Sequence, residues 1–168
     1  MKEKNIVRFI CAGGVLTAVT VLFQSAPVFL PAIGLALSPL STLPVTIAAV
    51  SSISLGFSVF FASAFILAFV STQETIIFLL TTGILGIAIG ALLFRKGIAI
   101  SICVSSVTLS LGIAFLTYIA GVPSFVEFMG SLSIPFASLI FFSFSLVYAS
   151  AWNMGLRKLE NYLIKFIR

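Results

Sequence analysis

Charged side chains divide this chain into four long uncharged runs, and these runs predict its helices. The uncharged stretches are residues 9–73, 75–94, 97–126 and 128–156. A helix needs about 20 predominantly apolar residues to cross a bilayer. Each of the last three runs therefore holds one membrane-spanning helix, whereas the first is long enough for two or three.

The basic residues decide how many helices the first run holds, because cytoplasmic loops carry an excess of Lys and Arg. Three helices there place the N-terminus, the turn at Arg95 and Lys96, and the C-terminal tail on one side, so that all nine Lys and Arg are cytoplasmic. Two helices would place the turn and the tail outside. The pattern therefore predicts six spans with both termini in the cytoplasm.

The predicted fold class is all-α, with 1–168 as a single polytopic membrane domain. Every proline lies in or beside the outer connections, where helices begin, so we expect starts at Ser41 or Thr42 and at Ser133. We expect a tight turn at 55–57, a proline-rich cap or half-inserted segment at 25–41, and an amphipathic tail at 156–168 that continues span 6 or lies on the inner leaflet. The predicted spans are 6–24, 42–56, 57–72, 75–94, 98–121 and 134–155.

Composition excludes a water-soluble globule and most enzyme classes. The chain is 61% apolar and 8% charged and has no His, and it also has no Asp, so it lacks the reagents of Ser-His-Asp and His-ligated zinc hydrolases. It has no P-loop motif either. We predict that it is not an enzyme and has no cofactor and no metal site. Its net charge of +5, gathered on one side, indicates anionic lipid headgroups as partners rather than nucleic acid.

Two acids lie outside the basic clusters, and both are predicted at the outer surface. Ionisable residues in membrane segments are functional candidates. Glu74 lies in a short polar turn, 71–75, where a solvated residue that caps span 4 is the favoured interpretation. Glu127 lies among aromatic residues on a longer outer loop that resembles a lid, and it is the first candidate for a ligand contact.

Small residues recur at four-residue spacing in spans 1, 4 and 5, and such faces let helices approach closely. We expect the faces of spans 4 and 5 to pack within the bundle. The face formed by Gly14 and Ala18 is a candidate contact for an external partner helix. The other small residues are Gly86 and Gly90 in span 4, and Ser101, Ser105, Thr108 and Gly112 in span 5.

This layout resembles the substrate-binding (S) components of energy-coupling factor transporters. The matching features are the small-residue segment 14–18, the proline-broken outer loop through Pro39, the Leu43-Pro44 start of span 2 and the glycine turn at Leu55-Gly56. The resemblance implies a subunit that captures a vitamin or other micronutrient at its outer face. It also implies docking, through the span-1 face, on a transmembrane coupling subunit that carries two ATPase subunits.

The same resemblance places a ligand pocket near the outer ends of the spans. By position, the pocket residues are Gln24, Ser25, Gln73, Thr117, Tyr118 and Glu127. The middle of spans 4 to 6 offers mainly Ser, Thr and Phe, which favours a small, largely apolar ligand with one or two polar anchors. A second class remains open: a six-span scaffold or accessory protein in envelope assembly that acts through helix contacts alone.

Overall fold

A computed structural model describes residues 2–93, 95–119 and 134–167 of the chain. These residues are almost entirely helical, and none of them lies in a strand. The predicted all-α class is confirmed for the described residues. Six of their helical segments are long and apolar enough to cross a membrane, which agrees with the predicted multi-pass membrane protein. The helices are α1 (Lys2–Phe29), α2 (Pro31–Leu37), a 3₁₀ helix (Ser38–Ser41), α3 (Thr42–Ser51), α4 (Ile53–Val70), α5 (Thr72–Leu80), α6 (Thr82–Leu92), α7 (Ile98–Tyr118) and α8 (Ile134–Ile167).

The spans agree with the prediction in number and differ in their limits. The second differs most, because the segment predicted as a cap at 25–41 is helical. Pro31 and Pro39 occupy first turns, where a missing N–H costs little, whereas Pro27 lies inside α1, in its last turn. The structural spans are Ile6–Phe29, Pro31–Ser51, Ile53–Val70, Thr72–Leu92, Ile98–Tyr118 and Phe136–Lys158.

The turn predicted at 55–57 is wrong, because the chain turns at Ser52 instead. Ser52 has an extended backbone, and its hydroxyl accepts a hydrogen bond from the Leu55 N–H, which caps α4. Gly56 lies in the first turns of α4, where a Cβ would come within 2.7 Å of the Ala49 Cβ. The glycine therefore serves the close approach of α3 and α4 and does not make the turn.

Two further differences concern spans 4 and 6. Span 4 is interrupted at Thr81, whose backbone departs from helical angles, so that α5 and α6 are separate helices. The C-terminal tail continues span 6 as one helix through Ile167, which is the first of the two arrangements expected for it. The predicted start of span 6 at Ser133 lies outside the described residues.

The chain forms two compact units, the first ending at Ala91 and the second beginning at Leu92. In the first unit, α1 packs against α2, the 3₁₀ helix, α3, α4 and α5. The core of this unit consists of buried apolar residues of α3, α4 and α5, among them Val45, Val59, Leu67 and Phe78. In the second unit, α7 packs against α8.

The small-residue face of span 4 packs within the first unit, as predicted. A Cβ on Gly90 would lie 2.6 Å from the Ala49 Cβ and 2.7 Å from the Thr46 carbonyl oxygen, and one on Gly86 would lie 2.9 Å from Val45. These distances are shorter than van der Waals contact, so only glycine lets α6 approach α3 this closely. The expected internal role of these two residues is confirmed.

Candidate functional site

A buried cluster of polar side chains lies around Gln24 of α1. Gln24 is fully buried, and its Oε1 accepts hydrogen bonds from the hydroxyls of Ser41 (2.8 Å) and Thr82 (2.9 Å). Its Nε2 donates to Oε2 of Glu74 over 2.9 Å. We call these four residues the Gln24 cluster. They come from α1, the 3₁₀ helix, α5 and α6, so the cluster joins four elements of the first unit.

Local helix geometry places each member of the cluster. Ser41 ends the 3₁₀ helix directly before α3, and Thr82 is the first residue of α6, next to the interruption at Thr81. Glu74 lies in the first turn of α5, whose N-cap is Ser71. Helix ends bring polar side chains into the interior at the points where the chain changes direction, and Gln24 reaches all three from the continuous helix α1.

Glu74 is buried, and the interpretation that it is solvated is wrong. It retains 8% of its exposed surface, because its side chain lies against Gln24 of α1, whereas Thr72 and Gln73 in the same turn are exposed. The cap of α5 is made by the Ser71 hydroxyl, which accepts from the Glu74 N–H. The Glu74 side chain is left to interact with Gln24.

A second feature lies along the N-terminal half of α1. An open groove of about 440 Å³ runs between α1 and α4, and small side chains form much of its wall. Gly14 and Ala18, the two residues predicted to meet a partner helix, line it, and a Cβ on Gly14 would meet no atom within 4 Å. The remaining lining residues are Phe9, Ile10, Gly13 and Thr17 of α1 and Leu55, Ser58, Val59, Ala62 and Ile66 of α4.

The predicted pocket residues have different surroundings. Gln24 is in the cluster. Ser25 is buried, but its hydroxyl donates to the Leu22 carbonyl of its own helix (3.4 Å). Gln73 is exposed although it precedes Glu74. Of Gln24, Ser25 and Gln73, the structure therefore places only Gln24 in the polar cluster.

The other predicted pocket residues belong to the second unit or fall outside the described part. Thr117 is buried, and its hydroxyl donates to the Ile113 carbonyl (2.9 Å). Tyr118 is half exposed and its ring lies edge-on to Phe141, with 6.5 Å between centroids. Glu127 lies outside the described residues.

The second unit has its own buried polar pair. The Ser101 hydroxyl donates to Oδ1 of Asn153 at 2.5 Å, and Nδ2 of Asn153 donates to the Ala149 carbonyl. Both side chains are fully buried, so this pair links α7 to α8. The expected packing role of the span-5 face is confirmed at Ser101, Ser105 and Gly112, which are buried.

Comparison of the chain with protein-family models, curated proteins and solved structures finds no match. Within the described residues, no group of three or more His, Cys, Asp or Glu side chains is placed to hold a metal ion. The chemistry of the Gln24 cluster is that of one carboxylate, one amide and two hydroxyls, which binds polar ligands by hydrogen bonds and charge.

Sequence reasoning missed three members of the cluster: Ser41, Glu74 and Thr82. Pairing of residues so far apart in sequence does not follow from periodicity. One signal was available, since Gln24 is the single amide side chain between residues 9 and 72. An amide in an uncharged run needs polar partners, and the acid nearest that run is Glu74.

Proposed function

We propose that this protein is the substrate-capture subunit of a multi-subunit micronutrient uptake transporter in the cell membrane, with both termini in the cytoplasm. It has no ATPase activity of its own. Energy comes from a transmembrane coupling subunit that carries ATPase subunits. The observation that carries the proposal is the division of α1 into an end with an open small-residue groove and an end with a buried polar cluster.

The groove supports the docking half of the proposal. Small residues let a second helix pack backbone to backbone, which is the main source of helix association in lipid. A Cβ on Gly14 would meet no atom within 4 Å, and both Gly14 and Ala18 are exposed in the groove, so this face is open to a partner helix. With the N-terminus inside, this groove lies in the cytoplasmic half of the bilayer, near the ATPase subunits of the complex.

The Gln24 cluster supports the capture half. A carboxylate within a membrane bundle is costly and marks functional positions. With the N-terminus inside, the cluster lies in the outer half, next to the proline-rich segment that precedes α3. A ligand entering from outside reaches this segment first.

A scaffold function is the second candidate, and the hydrogen bonds among Ser41, Thr82 and Gln24 favour it. Ser41, Thr82 and Gln24 satisfy one another without any added molecule, as a purely structural network does. The groove serves a scaffold equally well. The two functions differ in the partner and in the existence of a ligand.

Co-purification from native membranes tests the proposal. Wild-type protein should bring down a transmembrane subunit and ATPase subunits, identified by mass spectrometry. Gly14→Leu should abolish this, since leucine fills the groove. The matched control is Gly155→Leu on α8, where a Cβ also meets nothing within 4 Å. Envelope-assembly proteins in place of ATPase subunits, or partners unaffected by Gly14→Leu, would contradict the transport proposal.

A further inference from the structure

Glu74 has fewer partners than a buried carboxylate requires. The amide of Gln24 is the one side-chain donor to it among the described residues. Taking a carboxylate out of water costs several kcal/mol unless charges or several donors compensate. Apart from Gln24, the cluster contributes only hydroxyls, and both of these donate to Gln24. Among the residues that the structure describes, no cation therefore pairs with the negative charge of an ionised Glu74.

Helix capping does not explain the position of this carboxylate. In a capping box, the acid at the third helical position accepts from the N–H of the N-cap residue. Here the Ser71 N–H donates instead to the Leu67 carbonyl, at 2.8 Å. The Glu74 side chain extends across to α1, so its placement serves the interior of the unit rather than the end of its own helix.

The cluster holds one carboxylate oxygen and leaves the other available. Because two hydroxyls donate to Oε1 of Gln24, its amide nitrogen faces Glu74 and fixes Oε2. Within the described part of the chain, Oε1 of Glu74 accepts no hydrogen bond. A second carboxylate oxygen is thus left as an acceptor for a ligand.

We propose that Glu74 binds a protonated amine of the captured molecule, and that Gln24 is the positioning residue for its carboxylate. This inference rests on the proposed capture function and names its ligand class: a small, largely apolar molecule with one cationic nitrogen. The ammonium group donates to Oε1 of Glu74 and supplies the missing positive charge. An anionic ligand would add a second negative charge beside an ionised Glu74, so the site selects against carboxylates.

Thermal unfolding of the purified full-length protein in detergent tests this inference. The probes are 2-phenylethylamine and pyridoxamine as protonated amines, biotin and pantothenate as carboxylates, and riboflavin as a neutral compound, with NaCl and KCl alone as a metal-ion series. Each is measured on wild type, Glu74→Gln and Gln73→Ala. The last is the matched control, because residue 73 adjoins Glu74 but is exposed. Any stabilising probe is then titrated by calorimetry.

We expect a cationic probe to stabilise wild type and Gln73→Ala, and Glu74→Gln to bind it about 10- to 100-fold more weakly, the range for a hydrogen bond to a charged group. Should Glu74→Gln fail to fold, Glu74→Asp retains the charge with a shorter reach. That variant should still prefer cations, with weaker binding than wild type.

The remaining outcomes each contradict a different statement. Equal stabilisation of wild type and Glu74→Gln by a carboxylate or neutral probe would leave the capture function standing and overturn the role of Glu74. Stabilisation by NaCl or KCl alone that depends on Glu74 would replace the amine by a metal ion. Equal affinity of wild type and Glu74→Asp for a cationic probe would also overturn the role of Glu74 in binding it. No stabilisation by any probe would contradict the capture function itself.

Discussion

The two halves of α1 differ in what their side chains contact. In the N-terminal half, Gly14 and Ala18 line an open groove and are exposed. In the C-terminal half, Gln24 is fully buried and makes three hydrogen bonds to other elements. Substitution of Gln24 should therefore lower the stability of the bundle, whereas substitution of Gly14 should mainly change what binds to it.

The largest effect is expected at Gln24. Gln24→Leu removes three hydrogen bonds and leaves a buried carboxylate and two hydroxyls without partners, which should lower the free energy of unfolding by about 3 kcal/mol. Unfolding in mixed detergent micelles with increasing SDS measures this. Gln73→Leu, on an exposed position, should change it by less than about 0.5 kcal/mol. Equal losses in the two variants would show that the cluster does not hold the elements together.

Gly90→Ala should follow in size. The added Cβ meets the Ala49 Cβ at 2.6 Å and the Thr46 carbonyl oxygen at 2.7 Å, and neither atom can rotate away. Overpacking of this kind costs about 1–3 kcal/mol, measured by the same SDS titration. A stability equal to wild type would mean that α3 and α6 separate at no cost.

The buried Ser101–Asn153 pair contains no carboxylate, and its contribution to stability can be compared with that of the Gln24 cluster. Asn153→Leu leaves the Ser101 hydroxyl without its acceptor and should cost about 1 kcal/mol, within the range of single interhelical hydrogen bonds in membranes. The expected order is Gln24→Leu above Asn153→Leu in the same titration. A larger loss of stability for Asn153→Leu than for Gln24→Leu would show that the Gln24 cluster contributes less to stability than a single interhelical hydrogen bond.

The smallest effect is expected at Gly14. Gly14→Ala places a methyl group in open space, so stability should stay the same or rise by up to about 1 kcal/mol through helix propensity. Because Gly14→Ala and Gly90→Ala add the same methyl group, the difference between their effects on stability measures how tightly each position is packed. A loss of more than about 1 kcal/mol would show that the groove is closed in the folded protein.

The sequence was sufficient to predict the number of spans but not their ends. The charge-free runs and the distribution of Lys and Arg predict which segments cross the bilayer. This prediction does not change when a helix begins or ends a few residues earlier or later. The turn at Ser52 was missed because Gly56 is the stronger turn residue in the sequence, and its role in close packing against Ala49 depends on tertiary contact. The helical form of 25–41 was missed because proline breaks helix interiors yet suits first turns.

The candidate site could be predicted only in part, for a related reason. Gln24 was identified by its position near the end of span 1, whereas Glu74 was assigned to solvent because a polar turn normally faces water. Burial depends on which helix lies opposite, and residues 24 and 74 are brought together only by the packing of α1 against α5. A sequence pattern with a period of a few residues contains no information on such a pairing.

The orientation of α1 in the membrane tests the central claim most directly, since capture requires the Gln24 cluster to be in the outer half and docking requires the groove to be in the inner half. In a background with Cys11→Ser and Cys103→Ser, single cysteines are placed at the exposed positions 73 and 96. A membrane-impermeant thiol reagent applied to intact cells should label position 73 and leave position 96 unlabelled. Labelling of position 96 with protection of position 73 would contradict the proposed arrangement.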